Sequence, residues 1–168
     1  CIRDSYKDFK YGLIQGQENL RQVLAQQYPA STVDSFIITN GASEALDLVL
    51  RVIASKPGPQ KNKVLLTQPY YYSYPHMVRF AGMEPVFTRS LNGRIDFDDF
   101  ARKVQDCKAV IINSPSNPTG RVEAIDTLKE IEAITNKLGV YVLSDEVYKD
   151  LIYVRENYLI EGEHVVTI

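Results

Sequence analysis

Four short segments hold the side chains best suited to chemistry. The first is Thr39-Asn-Gly-Ala-Ser-Glu-Ala-Leu46, where a glycine turn leads into a helix at about Ser43. Free backbone N–H groups at a helix start, aided by the helix dipole, bind an anion such as phosphate. Gly41 lets the backbone come close, and the Ser43 hydroxyl can cap the helix or touch the anion. An ordinary capped turn between strand and helix would read the same way. The second segment is Gln68-Pro-Tyr-Tyr-Tyr-Ser-Tyr-Pro75. Its tyrosines cannot all be core, because each buried hydroxyl needs a partner. A loop aromatic here could stack on a flat heteroaromatic ring, or the tyrosines could coat a surface.

The third segment, Asn113-Ser-Pro-Ser-Asn-Pro-Thr-Gly120, is fixed by two prolines and a glycine. Asn117 precedes Pro118 and is biased away from helix, so its amide is a rigidly held, directional donor. The fourth is Ser144-Asp-Glu-Val-Tyr148, in which an acid leaving the sheet and a tyrosine three residues on can face one cavity. A carboxylate beside a pyridine nitrogen keeps that nitrogen protonated, because the opposite charge favours the cation. A helix cap is the plainer role for Asp145.

The four segments lie at the ends of apolar, β-branched runs that read as strands, Phe36–Thr39, Lys63–Thr67, Lys108–Asn113 and Val140–Ser144; two further runs, Pro85–Thr88 and Val165–Ile168, read as strands too. Several lack alternation, as expected of parallel strands covered on both faces. Helical periodicity lies between them. Leu20, Val23 and Leu24 mark one helix, and Ala45, Leu46, Val49, Leu50 and Ile53 a second, stopped by Lys56-Pro-Gly-Pro59. Asp96 reads as the N-cap of a third, carrying Phe97, Phe100, Ala101 and Val104. Ala124, Leu128, Ile131, Ile134 and Leu138 form a fourth, closed by Gly139. Such alternation predicts a three-layer α/β/α fold with a mostly parallel sheet and a ligand at the strands' carboxyl ends.

Composition bounds the rest. With 168 residues the chain suits one domain, and 45% hydrophobic with 24% charged residues is ordinary for a globular protein. A net charge of −2 offers no basic footprint for nucleic acid. No apolar run is long enough to span a bilayer. Cys1 and Cys107 make a poor disulfide framework, which points to a reducing, cytoplasmic setting. Neither has neighbours at metal-ligand spacing, so no metal site is expected, and His76 and His164 stand alone. The chain opens on Cys1 and stops inside an apolar run, and both ends read as cut.

In this order the four segments resemble the class I/II aminotransferases, the fold-type-I enzymes that depend on pyridoxal 5'-phosphate. The resemblance extends back to Tyr11-Gly-Leu-Ile-Gln-Gly-Gln-Glu-Asn-Leu-Arg21 and covers nearly the whole chain. The Asn-Pro-Thr-Gly loop and the Asp-x-x-Tyr element are its specific parts. It implies that Ala42 and Ser43 hold the cofactor phosphate and that Tyr71 stacks on the pyridine ring. It implies further that Asp145 pairs with the ring nitrogen, while Asn117 and Tyr148 bond the 3-oxygen. Tyr11 resembles the tyrosine that reaches the phosphate of a partner subunit's cofactor, which implies a homodimer. The substrates implied are an amino acid and a 2-oxo acid.

The family's Schiff-base lysine has no counterpart here and is expected beyond Ile168. Lys149 lies in the wrong element. The chain therefore reads as an incomplete cofactor-binding large domain, inactive by itself, or as a non-catalytic binding or dimerisation module; lyases and synthases of the family share the same motifs. The family's sheet runs in the order 3-2-4-5-6-7-1, and without its antiparallel seventh strand Phe36–Thr39 would have no neighbour.

Overall fold

In the computed structural model, residues 11–28, 31–58, 62–153 and 158–168 are described. They fall into two compact units, Cys1–Gly41 and Ala42–Ile168. Cys1 lies outside the described residues.

The larger unit is built on a five-stranded sheet. Its strands are β1 (Lys63–Leu66), β2 (Glu84–Phe87), β5 (Ala109–Asn113), β6 (Tyr141–Asp145) and β7 (Val165–Thr167). They lie in the order β2-β1-β5-β6-β7, and every pairing is parallel. This matches the 3-2-4-5-6 portion of the expected order. The helices are α2 (Ala42–Ser55), α3 (Tyr74–Phe80), α4 (Phe97–Val104) and α5 (Ile125–Leu138).

Side chains alternate across a strand, so successive strand residues feed two separate cores. Val64, Leu66, Ala109, Ile111 and Leu143 pack against Leu46, Leu50 and Ile53 of α2 and Tyr74 and Val78 of α3. Leu65, Val110, Ile112 and Val142 pack on the opposite face against Phe100 and Val104 of α4 and Leu128 and Ile131 of α5. Helices thus cover both faces of a mostly parallel sheet, which explains the unbroken apolar runs in the sequence.

Helix ends follow their local signals. The Asp96 carboxylate accepts the backbone N–H of Asp99 (3.2 Å) and starts α4. Gly139, at φ 64°, takes the left-handed conformation that closes α5. At the other end of α2, the buried Lys108 Nζ donates to the carbonyl of Lys56 (2.6 Å), with Ala54 O at 3.5 Å and Asn62 Oδ1 at 3.4 Å. A cation at a helix C-terminus meets both its free carbonyls and its dipole.

Two elements absent from the sequence reading are present. A hairpin of β3 (Ser90–Leu91) and β4 (Arg94–Ile95) turns through Asn92 and Gly93, both at positive φ. Asn-Gly between short strands is a strong hairpin signal. The segment Gln68–Pro75, read as loop, ends inside α3, which begins at Tyr74 with Pro75 in its first turn.

The smaller unit holds α1 (Glu18–Ala25) and a 3₁₀ turn at Val33–Ser35. Arg21 links them, donating to Val33 O (2.9 Å) and pairing with Asp34 (3.6 Å). Here one expectation is corrected. Phe36–Thr39 forms no strand: Phe36 is extended and the N–H of Ile38 donates to Gln15 O (2.9 Å), but no ladder forms. Extended backbone becomes a strand when a neighbour satisfies its N–H and C=O groups in series. Among the described residues no helix is long and apolar enough to cross a membrane.

Candidate active site

The chemistry-bearing residues of the larger unit gather at the carboxyl ends of β5 and β6. Asn113 and Asp145 terminate these strands and are direct neighbours in the parallel register. Alternation puts Asn113 in step with Ala109 and Ile111, and Asp145 in step with Leu143, so both belong to the face covered by α2 and α3. There they line a cavity of about 190 Å³ with Ala42, Ser43, Leu46, Tyr71, Tyr74, Asn117, Val147 and Tyr148.

Asp145 is the acidic centre of this cavity, and its side chain is only 7% exposed. Its Oδ2 accepts the Tyr74 hydroxyl at 2.5 Å, and its Oδ1 accepts the backbone N–H of Val147 at 3.3 Å. Tyr74, 2% exposed, reaches it from the first turn of α3. Burial, then the adjacent Asp145 charge and the hydrogen bond to it, push the Tyr74 hydroxyl far above the ordinary tyrosine range. It therefore stays a donor at any physiological pH. Tyr71 stands edge-on to Tyr74 (centroids 5.5 Å apart) and to Tyr72 (4.7 Å). Its ring is held by aromatic contacts and half exposed toward the cavity.

The Asn113–Gly120 loop is cross-braced. Ser116 N donates to Arg121 O (2.8 Å) and Gly120 N to Ser116 O (2.7 Å), while Ser114 Oγ accepts Glu123 N (3.1 Å). Asn117 N donates to Asn113 Oδ1 (2.7 Å), and the Asn117 amide reaches the Tyr148 hydroxyl at 3.5 Å. One wall of the cavity thus presents an amide and a phenol side by side, while another presents a carboxylate. Next along the chain, Glu146 is buried, with Oε1 accepting from Ser144 Oγ (2.9 Å) and Oε2 without a hydrogen-bond partner among the described residues. Burial pushes its carboxyl above the usual range, and the Ser144 bond and the nearby Lys149 offset part of that rise.

Six residues named from the sequence line this one cavity: Ala42, Ser43, Tyr71, Asn117, Asp145 and Tyr148. Tyr11 belongs to the smaller unit, where its side chain is fully exposed. Sequence reasoning assigned no role to Tyr74 or to the Asn113 side chain. Tyr74 was detectable as the apolar-face residue of a short helix opened by Pro75, with Val78 four residues on. Lys149 opens a 3₁₀ turn, Lys149–Leu151, past Tyr148 and does not line the cavity. Among the described residues, no group of three or more His, Cys, Asp or Glu side chains could hold a metal ion.

A family model, aminotransferase class I and II, matches residues 2–165. The chain belongs to that family. It is 32% identical over 171 aligned positions to the aspartate/prephenate aminotransferase of Thermus thermophilus, covering 95% of this chain and 43% of that protein. A probable N-acetyl-LL-diaminopimelate aminotransferase of Bacillus subtilis is 37% identical over 129 positions, covering 74% of this chain and 31% of that protein. Among solved structures, the Thermus thermophilus aspartate aminotransferase with maleate superposes with a TM-score of 0.86 at 30% identity, over 94% of this chain and 44% of that one. The chain thus spans less than half the length of these relatives. Its mostly parallel α/β sheet is the aminotransferase fold over that span.

Proposed function

We propose that this sequence carries the ring- and phosphate-binding half of a pyridoxal-phosphate-dependent aminotransferase, which moves an amino group from an amino acid to a 2-oxo acid. The observation that carries this is the Asp145 carboxylate, held by Tyr74 and Val147 in a cavity that Tyr71, Asn117 and Tyr148 share. When bound, pyridoxal phosphate supplies an electron sink for charge developing at the substrate α-carbon. The donor set fits that group: an acid for a ring nitrogen, an amide and a phenol for a ring oxygen, an aromatic for its face, and a helix start for its phosphate.

In this reading Asp145 keeps a proton on the ring nitrogen through its opposite charge. Asn117 and Tyr148 would bond the 3-oxygen, with Asn117 placed to meet the substrate carboxylate as well. Tyr71 stacks on the ring face and excludes water from it. Ala42 and Ser43, in the first turn of α2, bind phosphate through backbone N–H groups, the Ser43 hydroxyl and the helix dipole. Tyr11 serves the phosphate of the other subunit in a homodimer. Proton transfer at the α-carbon is the role the family gives to a lysine, and no lysine is among the residues lining this cavity.

A second reading, a cofactor-binding module without catalysis, draws on the absence of lysine among the ten residues lining the cavity. The full-length protein, given pyridoxal phosphate, an amino acid and 2-oxoglutarate, separates the two. Glutamate formation that Asp145→Ala abolishes is the expected result. Release of ammonia with a 2-oxo acid and no glutamate would place the protein among the lyases, and cofactor binding without either product would favour the module.

A further inference from the structure

Asn113 holds both halves of the ring site through one side chain. It ends β5 beside Asp145 and is 8% exposed, and both ends of its amide are committed. Nδ2 donates to the Asp145 carbonyl (3.0 Å), and Oδ1 accepts the Asn117 N–H (2.7 Å). Because one partner is an acceptor and the other a donor, a single orientation of the amide satisfies both. Each partner is gripped by its backbone, so the Asn117 amide and the Asp145 carboxylate still line the cavity, where Tyr148 meets the first and Tyr74 and Val147 meet the second.

We infer that Asn113 is a positioning residue that sets the spacing between Asn117 and Asp145. The inference rests on the cofactor reading above, in which these two groups grip different atoms of one ring. Preorganised spacing matters because a site loose by a fraction of an ångström loses the hydrogen bonds it was built to make. A residue that served stability alone, by satisfying two buried backbone groups, would change the melting temperature. It would leave the cofactor affinity of the folded protein as it was.

The test is a double-mutant cycle in the full-length protein, reading the Kd for pyridoxal phosphate from visible absorbance in equilibrium titrations. Asn113→Ala, Asn117→Ala and the double variant are compared, with melting temperatures of the apo forms measured alongside. Asn113→Ser, which adds no bulk and retains a hydroxyl, carries the same comparison if the alanine variant does not fold. Asn113→Ala should weaken cofactor binding about tenfold, the scale of weakening the bonds that Asn117 and Asp145 make to the ring. In the Asn117→Ala background that loss should shrink to about threefold, because residues acting through one another are not additive. Wild-type affinity in the Asn113 variants, or a loss of the same size in both backgrounds, would overturn the positioning role while leaving the cofactor reading in place. A wild-type protein that binds no pyridoxal phosphate would overturn both.

Discussion

Replacing Tyr74 by phenylalanine removes one oxygen and leaves the ring, so it isolates the hydrogen bond to Asp145. The hydroxyl donates at 2.5 Å to a carboxylate, with both groups buried. A hydrogen bond to a charged group is worth about 1.5–3 kcal/mol. The edge-on contact with Tyr71 survives the change. For a domain of this size each kcal/mol moves the melting temperature by about 2–4 °C, so the apo protein should melt roughly 3–12 °C lower. The exposed Tyr72, treated in the same way, should leave the midpoint where it was.

The Tyr74 deficit also has a pH signature. The hydroxyl is raised in the folded state above its unfolded value near 10. Its contribution is therefore complete below pH 10 and is lost as pH climbs from there toward the folded value. The gap between wild type and Tyr74→Phe should hold steady from pH 7 to 9. It should then narrow above pH 10, at a rate approaching about 1.4 kcal/mol per pH unit. Urea unfolding followed by circular dichroism at each pH measures it. A midpoint equal to wild type at pH 7, or a gap that widens in alkali, would refute the geometry on which the estimate rests.

Glu146→Gln should stabilise the protein at pH 7, since burial raises the Glu146 carboxyl and its charged form is the costly one. The gain should vanish as pH falls below about 4.5, where the unfolded carboxyl is protonated too, and thermal melts at pH 4 and 7 compare the two. Lys108→Met removes the cation from the end of α2 together with its bond to the Lys56 carbonyl, which should cost about 0.5–1.5 kcal/mol. Hydrogen exchange should then speed up in the last turn of α2 ahead of its first. Gly139→Ala forces a side chain into the left-handed region at φ 64° and should cost about 1 kcal/mol, with Gly139→Asn milder, both read from urea midpoints.

How much of this could be read along the chain depended on whether a feature is local. The helices α2, α4 and α5 announce themselves by period and cap, because Asp96 and Gly139 act on their own helix ends. Strands β1, β5 and β6 show as unbroken apolar runs because helices cover both faces. The hairpin at Asn92-Gly93 was equally local, but its strands are two residues each and carry little pattern. Phe36–Thr39 differs in kind. Its β-branched composition specifies extended backbone, and the extended conformation is what Phe36 adopts. Pairing is a property of two segments, and no composition of one can supply the other.

The same division runs through the site. Asn117, Asp145 and Tyr148, which line one cavity, stood out in the sequence because each sits in a segment whose residue types are unusual together and directly follow a strand. Tyr74 and Asn113 were not, although they lie in those same segments. Tyr74 depends on α3 beginning one residue before Pro75, which turns that ring inward while Tyr72 stays out. Asn113 depends on the register of β5 with β6, which brings it beside a residue 32 positions away. Polar side chains that line the cavity carry their chemistry themselves, and residue type reveals it. The side chains bonded to them, Tyr74 and Asn113, find those partners through helix phase and register, and these exist once the sheet has been assembled.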